Sequence, residues 1–236
     1  QELCSKISPR TKFIILNTPN NPTGKILEKE ELQEIAEIVR QNKNINILSD
    51  EIYECILEKG FRHFSFASIA SDIKNRIFTI NGFAKGWAMT GWRVGYLAGR
   101  EDVIKASSSL QSQSTSNVCS FAQKGAIAAL QMESEYFEKI NEIYDKRRKT
   151  LINGLKKIKN ISFSTPNGAF YAFPQLPNNS ISSIDFCKKA IDDFGLVVVP
   201  GIVFGDDQCI RISCAASLEK IIDGMDRLQK SIYKYY

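Results

Sequence analysis

Histidine is almost missing from this chain: of 236 residues, only His63 is one. A Ser-His-Asp triad would have to use that imidazole as its base. No two-histidine metal site can be built, which removes most zinc hydrolases and the two-histidine iron oxygenases. Close to Phe61 and Phe64, His63 reads as a packed or surface side chain rather than a catalyst. Proton chemistry therefore falls to Lys, Tyr, Cys or carboxylates. Long apolar runs are also lacking. The run Leu196 to Pro200 is far too short to span a bilayer, and no signal peptide is visible. The six cysteines (Cys4, Cys55, Cys119, Cys187, Cys209, Cys214) include no Cys-x-x-Cys pair. That spacing supports neither a metal cluster nor a disulfide framework, and fits reduced, mostly buried thiols of a cytoplasmic protein. A strong charge of one sign is absent too, the formal net charge being +5. The densest basic clusters, Lys146-Arg147-Arg148-Lys149 and Lys156-Lys157, lie in a helical pattern beside Glu138, Glu142 and Asp145. Without interleaved aromatics they read as a solvated helix face, not a nucleic-acid patch.

What is present is an ordinary globular composition, 43% hydrophobic and 24% charged, in a chain long enough for one large domain or two small ones. Lys12 to Asn17 reads as a buried strand, closed by the breaker cluster Thr18-Pro19-Asn20-Asn21-Pro22-Thr23-Gly24. Glu28 to Asn42 carries Leu32, Ile35, Ala36 and Val39 at amphipathic-helix spacing. Further strands are expected at Ile45 to Ser49, Arg76 to Ile80 and Trp92 to Ala98. Strands alternating with helices predict an α/β domain with a mostly parallel sheet, where ligands sit beyond the carboxyl ends of the strands. Ser107 to Ser120 reads as a polar loop or broken helix. A long helix is expected over Ser134 to Lys159, striped by Tyr136, Ile140, Ile143, Leu151, Leu155 and Ile158. Beyond it come short strands (Ile161 to Ser164, Ala169 to Phe173, Leu196 to Pro200, Cys209 to Ser213), a helix over Ser183 to Phe194, and a terminal helix with Leu218, Ile221, Ile222, Met225 and Leu228 in register. This predicts a large domain over residues 1–145 and a small α+β domain over 146–236.

Several polar motifs follow the predicted strands in order: Asn21-Pro22-Thr23-Gly24, Asp50-Glu51-Ile52-Tyr53, Ala84-Lys85, and Ala88-Met89-Thr90-Gly91-Trp92-Arg93. Alone, each has a bland explanation as a cap, an ion pair or a solvated side chain. Together with Pro166-Asn167-Gly168-Ala169-Phe170-Tyr171 and Arg211-Ile212-Ser213, they resemble the class I/II pyridoxal-phosphate aminotransferases of fold type I. The resemblance is nearest the bacterial aspartate/prephenate aminotransferase subgroup, and it covers the whole chain.

The resemblance implies a pyridoxal 5'-phosphate enzyme that moves an amino group from an amino acid, of aspartate or glutamate type, to a 2-oxo acid. Lys85 resembles the Schiff-base lysine, which can serve as general base once freed. Asp50 resembles the acidic partner of the pyridine nitrogen. Tyr53 and Asn21 resemble the groups that hydrogen-bond the cofactor's phenolic oxygen, and the Asn21–Pro22 bond is expected to be cis. Arg93 resembles the phosphate clamp, its planar fork suiting a phosphate dianion. Arg211, with Asn21, resembles the grip on the substrate α-carboxylate.

The pattern departs from many relatives in having Gly82 and Ala84 where serines help bind phosphate, which shifts that task to Arg93 and backbone amides. The resemblance also implies a homodimer, no nucleic-acid or membrane partner, and an N-terminal portion before Lys12 that this chain does not show, so that the chain alone is expected to be nearly inactive. Two alternatives stay open: another chemistry on the same scaffold (a carbon–sulfur lyase or a cyclopropane synthase), and a cofactor-binding regulatory domain of a transcription factor. Asn160-Ile161-Ser162 and Asn178-Asn179-Ser180 match the glycosylation pattern, which carries little weight in a protein read as cytoplasmic.

Overall fold

A computed structural model describes residues 2–177 and 180–236, so Asn178 and Asn179 of the second glycosylation match lie outside the described residues. The elements are, in order, α1 (Glu2–Lys6), β1 (Phe13–Asn17), α2 (Lys29–Gln41), β2 (Asn46–Asp50), α3 (Phe66–Ile69), β3 (Ile77–Gly82), β4 (Gly95–Ala98), α4 (Glu101–Ser114), α5 (Ser120–Leu130), α6 (Ser134–Lys156), β5 (Tyr171–Ala172), α7 (Ser183–Phe194), β6 (Val199–Pro200), β7 (Ile210–Ser213) and α8 (Leu218–Tyr235). They form two compact units: Gln1–Pro19, Leu27–Cys55 and Arg62–Ser134 make the first, and Asn20–Ile26, Ile56–Phe61 and Glu135–Tyr236 the second.

The first unit is an α/β layer. Its sheet runs β1-β2-β3-β4, with the first three strands parallel and β4 antiparallel to β3. Parallel strands need crossovers, and α2 supplies the one between β1 and β2. Glu28 and Glu31 start α2 with a reciprocal capping box. Its stripe Leu32, Ala36 and Val39 is fully buried against Ile14, Leu16, Ile47 and Phe66. Each such large side chain contributes about 1.5–3 kcal/mol by leaving water. The fourth strand is shorter than expected. Thr90–Trp92 is a 3₁₀ turn, Arg93 takes a left-handed conformation (φ 56°), and only then does β4 begin. Over Ser107 to Ser120, expected as a polar loop or broken helix, a broken helix is found: α4 runs to Ser114 and α5 begins at Ser120, parted at residues 115–119.

The second unit is α+β, a three-stranded antiparallel sheet in the order β5-β7-β6 with α6, α7 and α8. Ser182 and Ser217 cap α7 and α8 through their side chains, and Gly195 ends α7 at φ 60°. No strand forms over Ile161 to Ser164, where Ser162 makes a single bridge to Gln175.

The units are not two consecutive stretches divided near residue 145. Helix α6 stays with the second unit almost whole, and two loops from the first half of the sequence join it. Hydrogen bonds explain both loops. Asn167 and Gly168 N–H groups donate to the Gly24 carbonyl at 3.0 and 2.8 Å, and Ile26 N–H donates to Asn167 Oδ1 at 2.7 Å. The Glu58 amide donates to the Asn167 carbonyl at 2.8 Å, and the Ala169 amide to Ile56 at 2.9 Å. The turn at Gly24 needs its φ of +72°, and a Cβ there would stand 2.5 Å from Pro166 Cβ and 2.6 Å from the Tyr171 carbonyl oxygen.

The basic cluster on α6 is not wholly a solvated face. Arg148 is 1% exposed, donating to Asp145 at 2.6 Å and to the Ala169 carbonyl at 3.0 Å. Helix period explains this, since Arg148 lies on the stripe of Leu151, Ile152 and Leu155. Ile143, by contrast, is exposed. Arg148→Ala removes the charged partner of Asp145, leaving it the Lys59 amide at 3.1 Å, and should cost about 3–5 kcal/mol in urea unfolding. Lys149→Ala, on the exposed side, should stay within about 0.5 kcal/mol.

Candidate active site

In the first unit the candidate residues gather at the carboxyl ends of the parallel strands. Strand β2 ends on Asp50, in register with Asn17 at the end of β1. The Asp50 carbonyl oxygen accepts from Thr18 N–H at 3.2 Å and from Asn17 Nδ2 at 3.1 Å. Its carboxylate is half-buried and accepts from the Ile52 amide at 3.2 Å. Burial pushes its pKa above the ordinary carboxylate value, against the Ile52 amide and the positive charge of Lys85, which pull it down. Tyr53 is buried, and Lys85 Nζ lies 5.8 Å from the centre of its ring. Asp50, Tyr53 and Lys85 thus come together although 35 residues of sequence separate the first from the last.

Glu51 fixes the segment that follows. Its buried Oε1 accepts from Ser49 Oγ at 2.8 Å and from Ser65 Oγ and the Phe66 amide at 3.1 Å. Its Oε2 meets His63 Nε2 at 3.1 Å. Burial raises the Glu51 pKa, but the hydrogen bonds outweigh it and the net shift is downward. His63 is therefore packed within this network. Glu54 belongs to the neighbouring bond, accepting from Asn81 Nδ2 at 2.6 Å. Glu51, Glu54 and His63 bring potential metal-ligand atoms within 4.8 Å of one another, but both carboxylates are already occupied by these donors.

Arg93 is exposed, and its guanidinium donates to the Thr90 carbonyl at 3.0 Å. It lines a cavity of about 740 Å³ with Ala88, Trp92, Gln111, Asn117 and Phe121, which Asp50, Tyr53 and Lys85 do not line. Gly82 has a structural requirement of its own. A Cβ there would lie 2.8 Å from Gly95 Cα and 2.8 Å from the Val94 carbonyl oxygen, because β4 passes directly over it.

In the second unit, Asn21 and Arg211 come together across 190 residues, Arg211 Nη1 donating to Asn21 Oδ1 at 2.9 Å. Arg211 Nε is buried with no hydrogen-bond partner among the described residues. The guanidinium lies over two rings, its Cζ 4.6 Å from the centre of Tyr171 and 5.0 Å from that of Phe204. Sequence reasoning missed Phe204 altogether. Its only signal was the pair of glycines, Gly201 and Gly205, bracketing a short turn. The Asn21–Pro22 peptide is cis, as expected, and so is Thr18–Pro19. All six cysteines are free, with Cys4 and Cys119 exposed and Cys187, Cys209 and Cys214 buried. No helix among the described residues is long and apolar enough to cross a membrane.

The residues present suit pyridoxal phosphate. A half-buried carboxylate with no salt bridge among the described residues suits a cationic ring nitrogen, a lysine stands near it, and an exposed arginine is available for a phosphate. Because the folded state raises the Asp50 pKa, its ionisation opposes folding at neutral pH. Asp50→Asn should therefore raise the melting temperature of the ligand-free protein at pH 7, and the gain should vanish below the ordinary carboxylate range. Gly82→Ser should cost about 1–3 kcal/mol by overpacking, read from denaturant melts.

Comparison with known proteins gives a match to the family model "Aminotransferase class I and II" over residues 1–228. A probable aspartate/prephenate aminotransferase of Rickettsia bellii is 39% identical across 95% of this chain, and an aspartate aminotransferase of Bacillus subtilis is 38% identical across all of it. Among solved structures, the aspartate aminotransferase of Rhizobium meliloti aligns with TM-score 0.93 and 32% identity over the whole chain. That of Thermus thermophilus with maleate aligns with TM-score 0.88 and 35% identity over 97% of the chain. The chain spans 59% and 61% of the length of the two curated relatives, and 61% and 59% of the two solved chains.

Proposed function

The chain belongs to the aminotransferase class I and II family, and from that premise we propose that it serves the transfer of an amino group from an aspartate- or glutamate-type amino acid to a 2-oxo acid. The family depends on pyridoxal phosphate, which when bound supplies an electrophilic aldehyde and an electron-withdrawing ring. The observation that carries the proposal is the half-buried Asp50 carboxylate at the end of β2, with Lys85 and Tyr53 beside it.

In this reading Lys85 holds the aldehyde through its ε-amine. Freed from the aldehyde, that amine would be the general base for the proton on the substrate Cα. Asp50 keeps the ring nitrogen protonated by stabilising its positive charge. That charge lowers the cost of ionising a buried carboxylate, so acid and ring favour each other's charged forms. Tyr53 would bind the phenolic oxygen. Arg93 takes the phosphate, for which its fork offers two parallel donors where a lysine offers a point charge. Arg211 pairs with the α-carboxylate, and Asn21 holds its orientation at 2.9 Å. The names of the relatives support the substrate class, and homodimeric, cytoplasmic operation rests on the family resemblance.

The test uses the full-length protein. Adding pyridoxal phosphate should produce a visible absorption band, and borohydride should fix a cofactor adduct on the peptide that contains Lys85. Lys85→Ala should lose the adduct and slow aspartate-to-2-oxoglutarate transfer by about 10²- to 10⁴-fold. An adduct on another lysine, or unchanged turnover in Lys85→Ala, would overturn the assignment.

A further inference from the structure

We infer that Phe204 and Tyr171 are positioning residues for Arg211, fixing the plane in which its guanidinium meets a substrate carboxylate. This rests on the reading of Arg211 given above.

The geometry makes the case. Guanidinium is flat, and two aromatic rings held against it restrict its tilt. The Tyr171 and Phe204 ring centres stand 4.6 and 5.0 Å from Arg211 Cζ. Neither ring is loose. Tyr171 packs on Phe170 at 4.7 Å, and Phe170 stacks on Tyr144 at 5.5 Å with the planes 20° apart. Phe204 meets Phe173 edge-on at 5.8 Å. Both rings that touch Arg211 are thus themselves packed against other aromatic side chains.

Backbone holds both supports. Tyr171 lies on β5, paired to Ser213 of β7, the strand that carries Arg211. Phe204 closes a 3₁₀ turn over Gly201–Phe204, which Gly205 ends in a left-handed conformation at φ 90°. That turn is tied down in turn, Gly201 N–H donating to the Cys209 carbonyl at 2.8 Å. Asn21 then sets the rotation of the fork within its plane, at 2.9 Å from Nη1. Nε is buried, with no hydrogen-bond partner among the described residues. A carboxylate meeting such a fork need not order it first, and this pre-organisation acts on binding rather than on the chemical step.

The test is calorimetric titration of the full-length, cofactor-loaded protein with succinate, a dicarboxylate with no amine to transfer, alongside steady-state kinetics with aspartate. Phe204→Leu should weaken succinate binding about fivefold to thirtyfold. The KM for aspartate should rise by the same factor while kcat changes by less than about threefold. Phe204→Tyr, which keeps the ring, should restore binding to within about twofold of the parent. Tyr171→Phe should behave as the parent and Tyr171→Leu as Phe204→Leu, which covers the case of one variant failing to fold. If Phe204→Leu and Tyr171→Leu both bind succinate like the parent while Arg211→Lys loses it, the positioning role is wrong and the reading of Arg211 stands. If Arg211→Lys also binds like the parent, the reading of Arg211 itself falls.

Discussion

A carboxylate that is 2% exposed must find donors or lose its charge, and Glu51 finds four of them. They come from Ser49 just before it and from His63, Ser65 and Phe66 beyond the excursion into the second unit. The chain leaves the first unit at Cys55 and re-enters at Arg62, and Glu51 is where the two ends are tied. Asp50 is the adjacent residue. Its placement at the strand end, with a carboxylate held half out of water, is only as firm as the anchor beside it. The lone histidine thus has its place in this tie, next to the candidate chemistry and not in it.

Two carboxylates adjacent in sequence are driven in opposite directions. Glu51 is satisfied by donors and held below its ordinary pKa; Asp50, with fewer donors, is pushed above it. The first is finished as a structural group. The second remains in want of a cation, which is the physical sense in which it is prepared for a ligand. The cost of that preparation falls on the ligand-free fold.

Much of the first unit was legible because its signals are local. The apolar run from Phe13 to Leu16 marks β1, although Phe13 and Ile15 are exposed; the stripe Leu32, Ala36 and Val39 reports burial directly, and β2 ends where its apolar run ends, at Asp50. The α/β class followed from that alternation of strands and helices. What was not legible depends on partners far away in sequence. The reversal of β4 turns on the left-handed Arg93 and the tight passage over Gly82, neither of which has a signature in composition. The loops at Asn20–Ile26 and Ile56–Phe61 change unit because Asn167 and its neighbours hydrogen-bond to them from more than 100 residues away. Arg148 hid inside a run of four basic residues, where charge suggested water and only the helical period pointed inward. Phe204 was invisible because a ring acquires meaning beside a cation only when β7 brings the cation to it.

The close passage of β4 over Gly82 also bears on descent. Serine and glycine at this position differ by two atoms, yet exchanging them requires the backbone at Val94 and Gly95 to move first. A lineage starting from this sequence cannot add the hydroxyl in one neutral step. The order of substitutions is constrained, with the β3–β4 spacing having to widen before a side chain at residue 82 could share in binding a phosphate.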